Sequence, residues 1–262
     1  MQYFTADAFT DTVFCGGQAV TIKLDEWLPD KLMQNIAAEF NVSETSFVIK
    51  RCGCYDLRWF TPAAEIDLCG HATLAAAFVL FSRFEKEASE IVFHTLGGEL
   101  TVKKRGDLYE MDFPAIQVRP CEITKDLIAA LGGAVPAEAY KSRDYVFVFD
   151  TEAAVRAVRP DYEKMKQLPG ALGVFISAPG ENSDIVARAF WPKMGIHEDP
   201  ACGSMHCNLT PLWAKKLGKK KILSHQLSPR GAVIYAEDAG ERVKLSGHAV
   251  LSCIGDMELG ER

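Results

Sequence analysis

Two short stretches of this 262-residue chain gather the residue types that proton chemistry requires. The first runs Glu198, Asp199, Pro200, Ala201, Cys202, Gly203, Ser204, Met205, His206; the second runs Glu65, Ile66, Asp67, Leu68, Cys69, Gly70, His71, Ala72, Thr73. Each sets acidic residues before a Cys-Gly pair and then enters a mostly apolar run long enough for three or four helical turns. A helix start presents unpaired N–H groups and a partial positive charge, so it attracts carboxylates and oxyanions. Glycines at 70 and 203 let a bound anion approach the backbone closely. Loss of a proton from carbon beside a carboxylate builds charge on oxygen, which such preorganised donors stabilise as it forms. The two stretches are therefore expected to form two halves of one site for a small anionic substrate.

The acid and base candidates are Glu44, His71, Asp199, Ser204 and the thiols of Cys69 and Cys202. A helix start favours neutral imidazole, so His71 is expected to accept or relay a proton near neutral pH. The same position lowers thiol pKa values, which would suit a two-thiol racemase, whereas burial as small apolar residues is the plainer role. Asp199 and Ser204 also fit simple capping roles, and Glu44 by itself reads as a surface turn residue entering a strand.

These groups need elements to position them. Apolar spacing predicts a helix from Pro29 to Phe40, with Leu32, Met33, Ile36, Ala37 and Phe40 on one face. The stretch from Ala72 to Phe84 is apolar nearly all round, so it is expected to be enclosed by a sheet. Asn41 to Ile49 reads as a polar turn feeding a β-rich run, strands are predicted at 55–62, 90–94, 99–104, 108–113, 145–150, 173–177 and 184–190, and helices at 126–131, 151–167 and 204–217. Pro211 should bend or interrupt the last of these. Lys215, Lys216 and Gly218 suit its carboxyl end. Gly16-Gly17 predicts a tight bend where backbone passes close to another group.

An internal duplication organises this list. The segment Arg58 to Pro62 answers Arg188 to Pro192, Cys69-Gly70 answers Cys202-Gly203, and Pro29-Asp30 answers Pro160-Asp161. Each cysteine also precedes a strand-turn glycine, Gly98 or Gly231, by the same interval. The expected architecture is α/β (α+β): two pseudo-symmetric halves, 1–115 and 116–262, each a mostly antiparallel sheet curled around a central helix. The last strand is allowed to return to the first half.

Composition excludes several other roles. A net charge of −6 argues against nucleic acid and anionic membranes as partners, and Lys219-Lys220-Lys221 reads as a solvated helix end. Met1 to Thr10 lacks the basic and apolar regions of a secretion signal, and no run reaches the roughly 20 apolar residues that span a bilayer. Eight cysteines then read as reduced thiols of a cytoplasmic protein. Cys52 and Cys54 lack a second pair at zinc spacing and are expected to pack in the core on a strand.

Several motifs, taken in order, carry a resemblance. The segments Ser43 to Phe47, Leu57 to Pro62, Asp67 to Thr73, Glu198 to Ser204 and Gln226 to Gly231 resemble the PhzF-like family of phenazine-biosynthesis isomerases. The resemblance implies a diaminopimelate epimerase-like fold, a site between the halves, a homodimer, and neither metal nor organic cofactor. It places the acid/base on Glu44, with His71, Asp199 and Ser204 at the other active-site positions. Two departures stand out. The family's Gly-Asn-Pro turn is Gly16-Gly17-Gln18 here, and Cys202 replaces a frequent threonine, recreating with Cys69 the cysteine pair of related epimerases and racemases. The expected activity is a cofactor-independent isomerisation of a small carboxylate-bearing metabolite. A two-cysteine epimerase or racemase and a non-catalytic small-molecule binding protein are the alternatives.

Overall fold

A computed structural model describes residues 1–260, which form two units. The first comprises Met1–Asp112 with the chain from Ser246 onwards; the second is Phe113–Leu245. Among the described residues no helix is long and apolar enough to cross a membrane.

The first unit contains β1 (Gln2–Ala8), β2 (Gly17–Leu24), α1 (Asp30–Phe40), β3 (Glu44–Lys50), β4 (Tyr55–Phe60), β5 (Glu65–Ile66) and α2 (Gly70–Arg83). It continues through β6 (Glu90–Thr95), β7 (Gly98–Arg105) and most of β8 (Leu108–Pro114). The second unit contains β9 (Arg119–Pro120), α3 (Lys125–Ala130), β10 (Glu138–Lys141), β11 (Tyr145–Val148), α4 (Glu152–Ala157), α5 (Tyr162–Gln167), β12 (Val174–Pro179) and β13 (Ile185–Trp191). A 3-10 turn follows at Pro192–Met194, then β14 (Ile196–Asp199), α6 (Gly203–Leu217), β15 (Lys221–Gln226) and β16 (Ala232–Asp238). β17 (Arg242–Gly247) returns the chain to the first unit, where β18 (Ala249–Asp256) pairs with β1.

The duplication holds at the level of strand pairing. In the first unit β1 and β2 are antiparallel, β2 and β3 parallel, β3 and β4 antiparallel, and β4 is also antiparallel to β5 and parallel to β6. The second unit repeats that order with β10 to β15. Each repeat finishes in an antiparallel hairpin, β6 with β7 and β15 with β16. Gly98 (φ 115°) and Gly231 (φ 68°) stand at these hairpins, where a left-handed backbone favours glycine.

Both faces of the first unit's sheet are covered, as the unbroken burial of Glu44 to Ile49 requires. Val20, Ile22, Leu24, Phe47, Ile49 and Phe60 meet Met33, Ile36 and Ala37 of α1 on one face. On the opposite face lies α2, whose residues from His71 to Ala77 are all buried.

Three local expectations need correction. The predicted helical stretch 151–167 is two short helices, capped by Thr151 and Asp161 and separated at Pro160. Proline disfavours the helical region for the residue before it and cannot donate its own hydrogen bond. Pro211, in contrast, does not interrupt its helix and lies within the single helix α6. The carbonyl it cannot serve, that of Cys207, accepts the Ile116 N–H at 2.9 Å instead. Finally, Cys52 is exposed and Cys54 half-buried in the turn between β3 and β4, so neither packs in a core. The turn takes a left-handed Gly53 (φ 82°), which breaks the strand where core packing would have needed it to continue.

Candidate active site

Glu44 is the first residue of β3 and is 5% exposed, not a surface turn residue. The parallel partner β2 and the covering helix α2 enclose it, because its side chain belongs to the α2-facing set of the strand. His71, second residue of α2 and also 5% exposed, puts Nε2 2.6 Å from Glu44 Oε2. The approach is too oblique for a well-formed hydrogen bond, and neither atom has another hydrogen-bond partner among the described residues. On its other side the imidazole turns Nδ1 to Cys69 Sγ at 3.6 Å.

Cys69 occupies the N-cap of α2 without a side-chain capping bond, so its thiol is left to face the histidine. Its carbonyl receives both the N–H and the hydroxyl of Thr73, which secures the first turn. Gly17 explains how the histidine fits. A Cβ at that position would lie 2.8 Å from the His71 ring, so the bend predicted at Gly16-Gly17 is where the backbone passes the imidazole. Gly17→Ala is accordingly expected to push His71 off Glu44 and slow turnover at least about tenfold, since small misplacements of catalytic groups are costly. A crystal structure of the variant, read alongside its kinetics, checks the displacement.

The electrostatics differ from those expected of helix starts. Burial pushes the Cys69 thiol up to about 11, and the Glu44 charge adds to the effect. Burial and the Asp199 carboxylate likewise raise Cys202 well above the ordinary thiol range. Both cysteines are therefore thiols at neutral pH rather than activated thiolates, because desolvation outweighs the helix-end field. His71 is displaced in the opposite sense to the expectation. Burial works against its charge, yet the Cys69 sulfur and the Glu44 carboxylate hold it well above 6.5. With Cys69 neutral, Glu44 is the effective counter-charge.

A raised value in the folded chain makes folding favour the protonated imidazole. That stabilisation is complete below about pH 6.5 and is lost as pH climbs through the folded value. The stability difference between the wild type and His71→Asn should thus be largest near pH 6 and shrink toward alkaline pH, as urea unfolding across pH will measure. Glu44, Cys69 and His71 also place potential ligand atoms within 4.8 Å of one another. Binding of a metal there would release the protons of the thiol and the imidazolium.

The second unit gathers the other predicted residues around the start of α6. Cys202 is the N-cap, its sulfur accepting the Met205 N–H at 3.4 Å, so Ser204 is not the cap. Gly203 begins the helix, and the Ser204 hydroxyl accepts from Arg143 at 2.9 Å. Asp199 closes β14, its Oδ1 accepting the Ala201 N–H at 2.9 Å in a local turn.

Sequence reading missed Arg143. This guanidinium pairs with the fully buried Asp144, lies over the Trp191 ring and reaches Ser204, bringing a fixed positive charge to the helix start. The available signal was an Arg-Asp pair directly before an apolar strand. It also missed how the Gln226 segment works. Gln226 accepts the Cys202 N–H and donates to the Asp199 carbonyl, while Ser228 donates to the Pro200 carbonyl, so the segment braces the whole 199–202 turn. His206, fully buried between the Cys202 carbonyl and Ser224, is driven down to about 4 by burial and is a neutral structural residue.

The profile of the family described as PhzC-PhzF, phenazine biosynthesis-like protein, matches residues 6–255. The chain belongs to that family. An uncharacterized isomerase of Pseudomonas aeruginosa is 44% identical over 256 residues, spanning 98% of each chain. The crystal structure of a PhzF family protein from Enterococcus faecalis superposes with a TM-score of 0.96 at 43% identity, over 98% of this chain and 99% of that one. A hydroxyproline epimerase from Agrobacterium vitis shares the fold at 12% identity, with a TM-score of 0.59 over 97% of this chain and 91% of that one. The expected fold is thus the observed one, that of the epimerase and racemase group.

Proposed function

We propose that this isomerase moves a proton on a small carboxylate-bearing metabolite by acid/base chemistry without a cofactor, with Glu44 as the group that carries the proton. The observation that supports this reading most is the buried contact of Glu44 Oε2 with His71 Nε2 at 2.6 Å, beside the first turn of α2. In the first half of the reaction the Glu44 carboxylate accepts a proton from substrate carbon, and the C–H electron pair passes into the adjoining carboxylate or conjugated system. The N–H group at Gly70 is assigned to the resulting oxyanion, and Gly203, Ser204 and Arg143 are assigned as donors to an anionic group at the start of α6. In the second half the neutral Glu44 acid returns the proton to a different carbon or the opposite face. His71 orients Glu44.

The raised thiols weigh against the two-cysteine alternative, because neither Cys69 nor Cys202 is a ready base. A homodimer belongs to the same proposal, and sedimentation velocity checks it. The decisive experiment is a screen of aromatic, cyclic and amino-acid carboxylates for deuterium uptake from solvent. Enzyme-dependent uptake at carbon supports the reading, whereas binding of such a carboxylate with no exchange favours the binding-protein alternative.

A further inference from the structure

Three side chains in one sheet row of the first unit carry buried polar atoms that the fold leaves unpaired. Thr21 of β2 is in register with Ser46 of β3, and Ser46 is in register with Trp59 of β4. All three residues are fully buried, and Thr21 Oγ1, Ser46 Oγ and Trp59 Nε1 have no hydrogen-bond partner among the described residues. They share the face covered by α2, because their strand neighbours Val20, Phe47 and Phe60 belong to the cluster against α1. Glu44 lies on the same face, two residues before Ser46, and its Oε2 is likewise without a hydrogen-bond partner. Orphaned groups of this kind are rare in folded chains, and of the buried side-chain orphans among the described residues only Thr45 Oγ1 lies on the opposite face.

We infer that this row is a buried solvent site, in which water bridges Thr21, Ser46 and Trp59 and connects them to Glu44. Register neighbours stand about 5 Å apart at Cβ, and since the Thr21 and Ser46 hydroxyls do not bond each other, one water about 2.8 Å from each can bridge them. Buried waters typically make about three hydrogen bonds, and the row provides a hydroxyl, a second hydroxyl and an indole N–H. The side chains nearby are short, with Ala6 and Ala19 in the adjoining row and Ala75, Ala76 and Ala77 in the covering helix. Phe4 is the register partner of Thr21 and Trp59 that of Ser46, so the row runs between two aromatic residues. Thr21, Ser46 and Trp59 then act as positioning residues for Glu44, which deepens the proposed function and rests on it only for the catalytic consequence.

The test uses Thr21→Val and Ser46→Ala in the full chain, alone and combined with Glu44→Leu. Thermal unfolding and oxygen-17 water relaxation, which counts long-lived internal waters, are the two readouts. With bridging water, Thr21→Val lowers the Tm by about 2–6 °C and removes at least one long-lived water, because the remaining partners lose it. Without water, exchanging an unsatisfied hydroxyl for an isosteric methyl leaves the Tm unchanged or higher and the water count unaltered, which overturns the site. The connection to Glu44 predicts a smaller Tm loss from Thr21→Val in the Glu44→Leu background. Equal losses in both backgrounds overturn that connection. If Ser46→Ala fails to fold, Thr21→Val, which preserves shape, decides the matter alone. Neither readout needs a substrate, so a failure here and a failure of the proposed reaction are separate results.

Discussion

Glu44→Gln should lower enzyme-dependent deuterium uptake by about 10²- to 10⁴-fold, the range that a positioned general base supplies. The amide keeps the size of the side chain and can still meet His71, but it cannot accept a proton from carbon at neutral pH. Because Glu44 is buried at the start of β3 rather than exposed, its replacement also removes the counter-charge of a buried imidazolium. The variant should consequently fold with a histidine that gives up its proton at lower pH than in the wild type. Two measurements follow, solvent exchange on a responsive carboxylate and NMR titration of His71. Undiminished exchange would remove Glu44 from the chemistry, and an unchanged His71 titration would remove it as the counter-charge.

Arg188→Met should cost about 3 kcal/mol of stability, the low end of the range for breaking a buried ion pair. Arg188 makes a two-point contact with Glu198 at 2.7 and 3.0 Å, and both side chains are 12% exposed. Its remaining N–H groups bond the carbonyls of Val155 and Val158, and the guanidinium lies over the Phe190 ring. Methionine retains most of the apolar stem while leaving the Glu198 carboxylate without its counter-charge and taking a donor from the Val155 carbonyl; the Val158 carbonyl still accepts from Arg159. Arg58 repeats the arrangement in the first unit with Glu65 and Asp30, but at 20% and 25% exposure for the Arg58–Glu65 pair water replaces part of what is lost. Arg58→Met should cost about 1 kcal/mol. Urea unfolding of the two variants tests the contrast, and equal losses would refute the claim that burial sets the difference.

Those two arginines show how far the sequence alone reaches. Arg58 and Arg188 were matched by their places in two repeated segments, and the same matching located both Cys-Gly helix starts, the hairpin glycines and the fold. Such features are legible because glycine, proline and periodic apolar residues act within a few positions along the chain. Pro29-Asp30 and Pro160-Asp161 each do begin a helix, although the helices differ in length. The Gly16-Gly17 bend was legible as a close approach, but not that the approached group is His71.

What only the tertiary structure decided is the state of the reactive groups. Cys69 and Cys202 occupy helix starts, where local reasoning lowers a thiol pKa, yet both are raised by burial under neighbouring strands and by nearby carboxylates. His71, expected neutral for the same local reason, is held protonated by a glutamate 27 positions away in sequence. Glu44 read as a turn residue until parallel pairing of β2 with β3 and the covering helix enclosed it. Helix-end fields act within one turn and can be read from spacing, whereas desolvation and charge pairing depend on which distant segments converge. The two stretches rich in reactive residues were thus legible from spacing, and burial around them set the charge state of each reactive group.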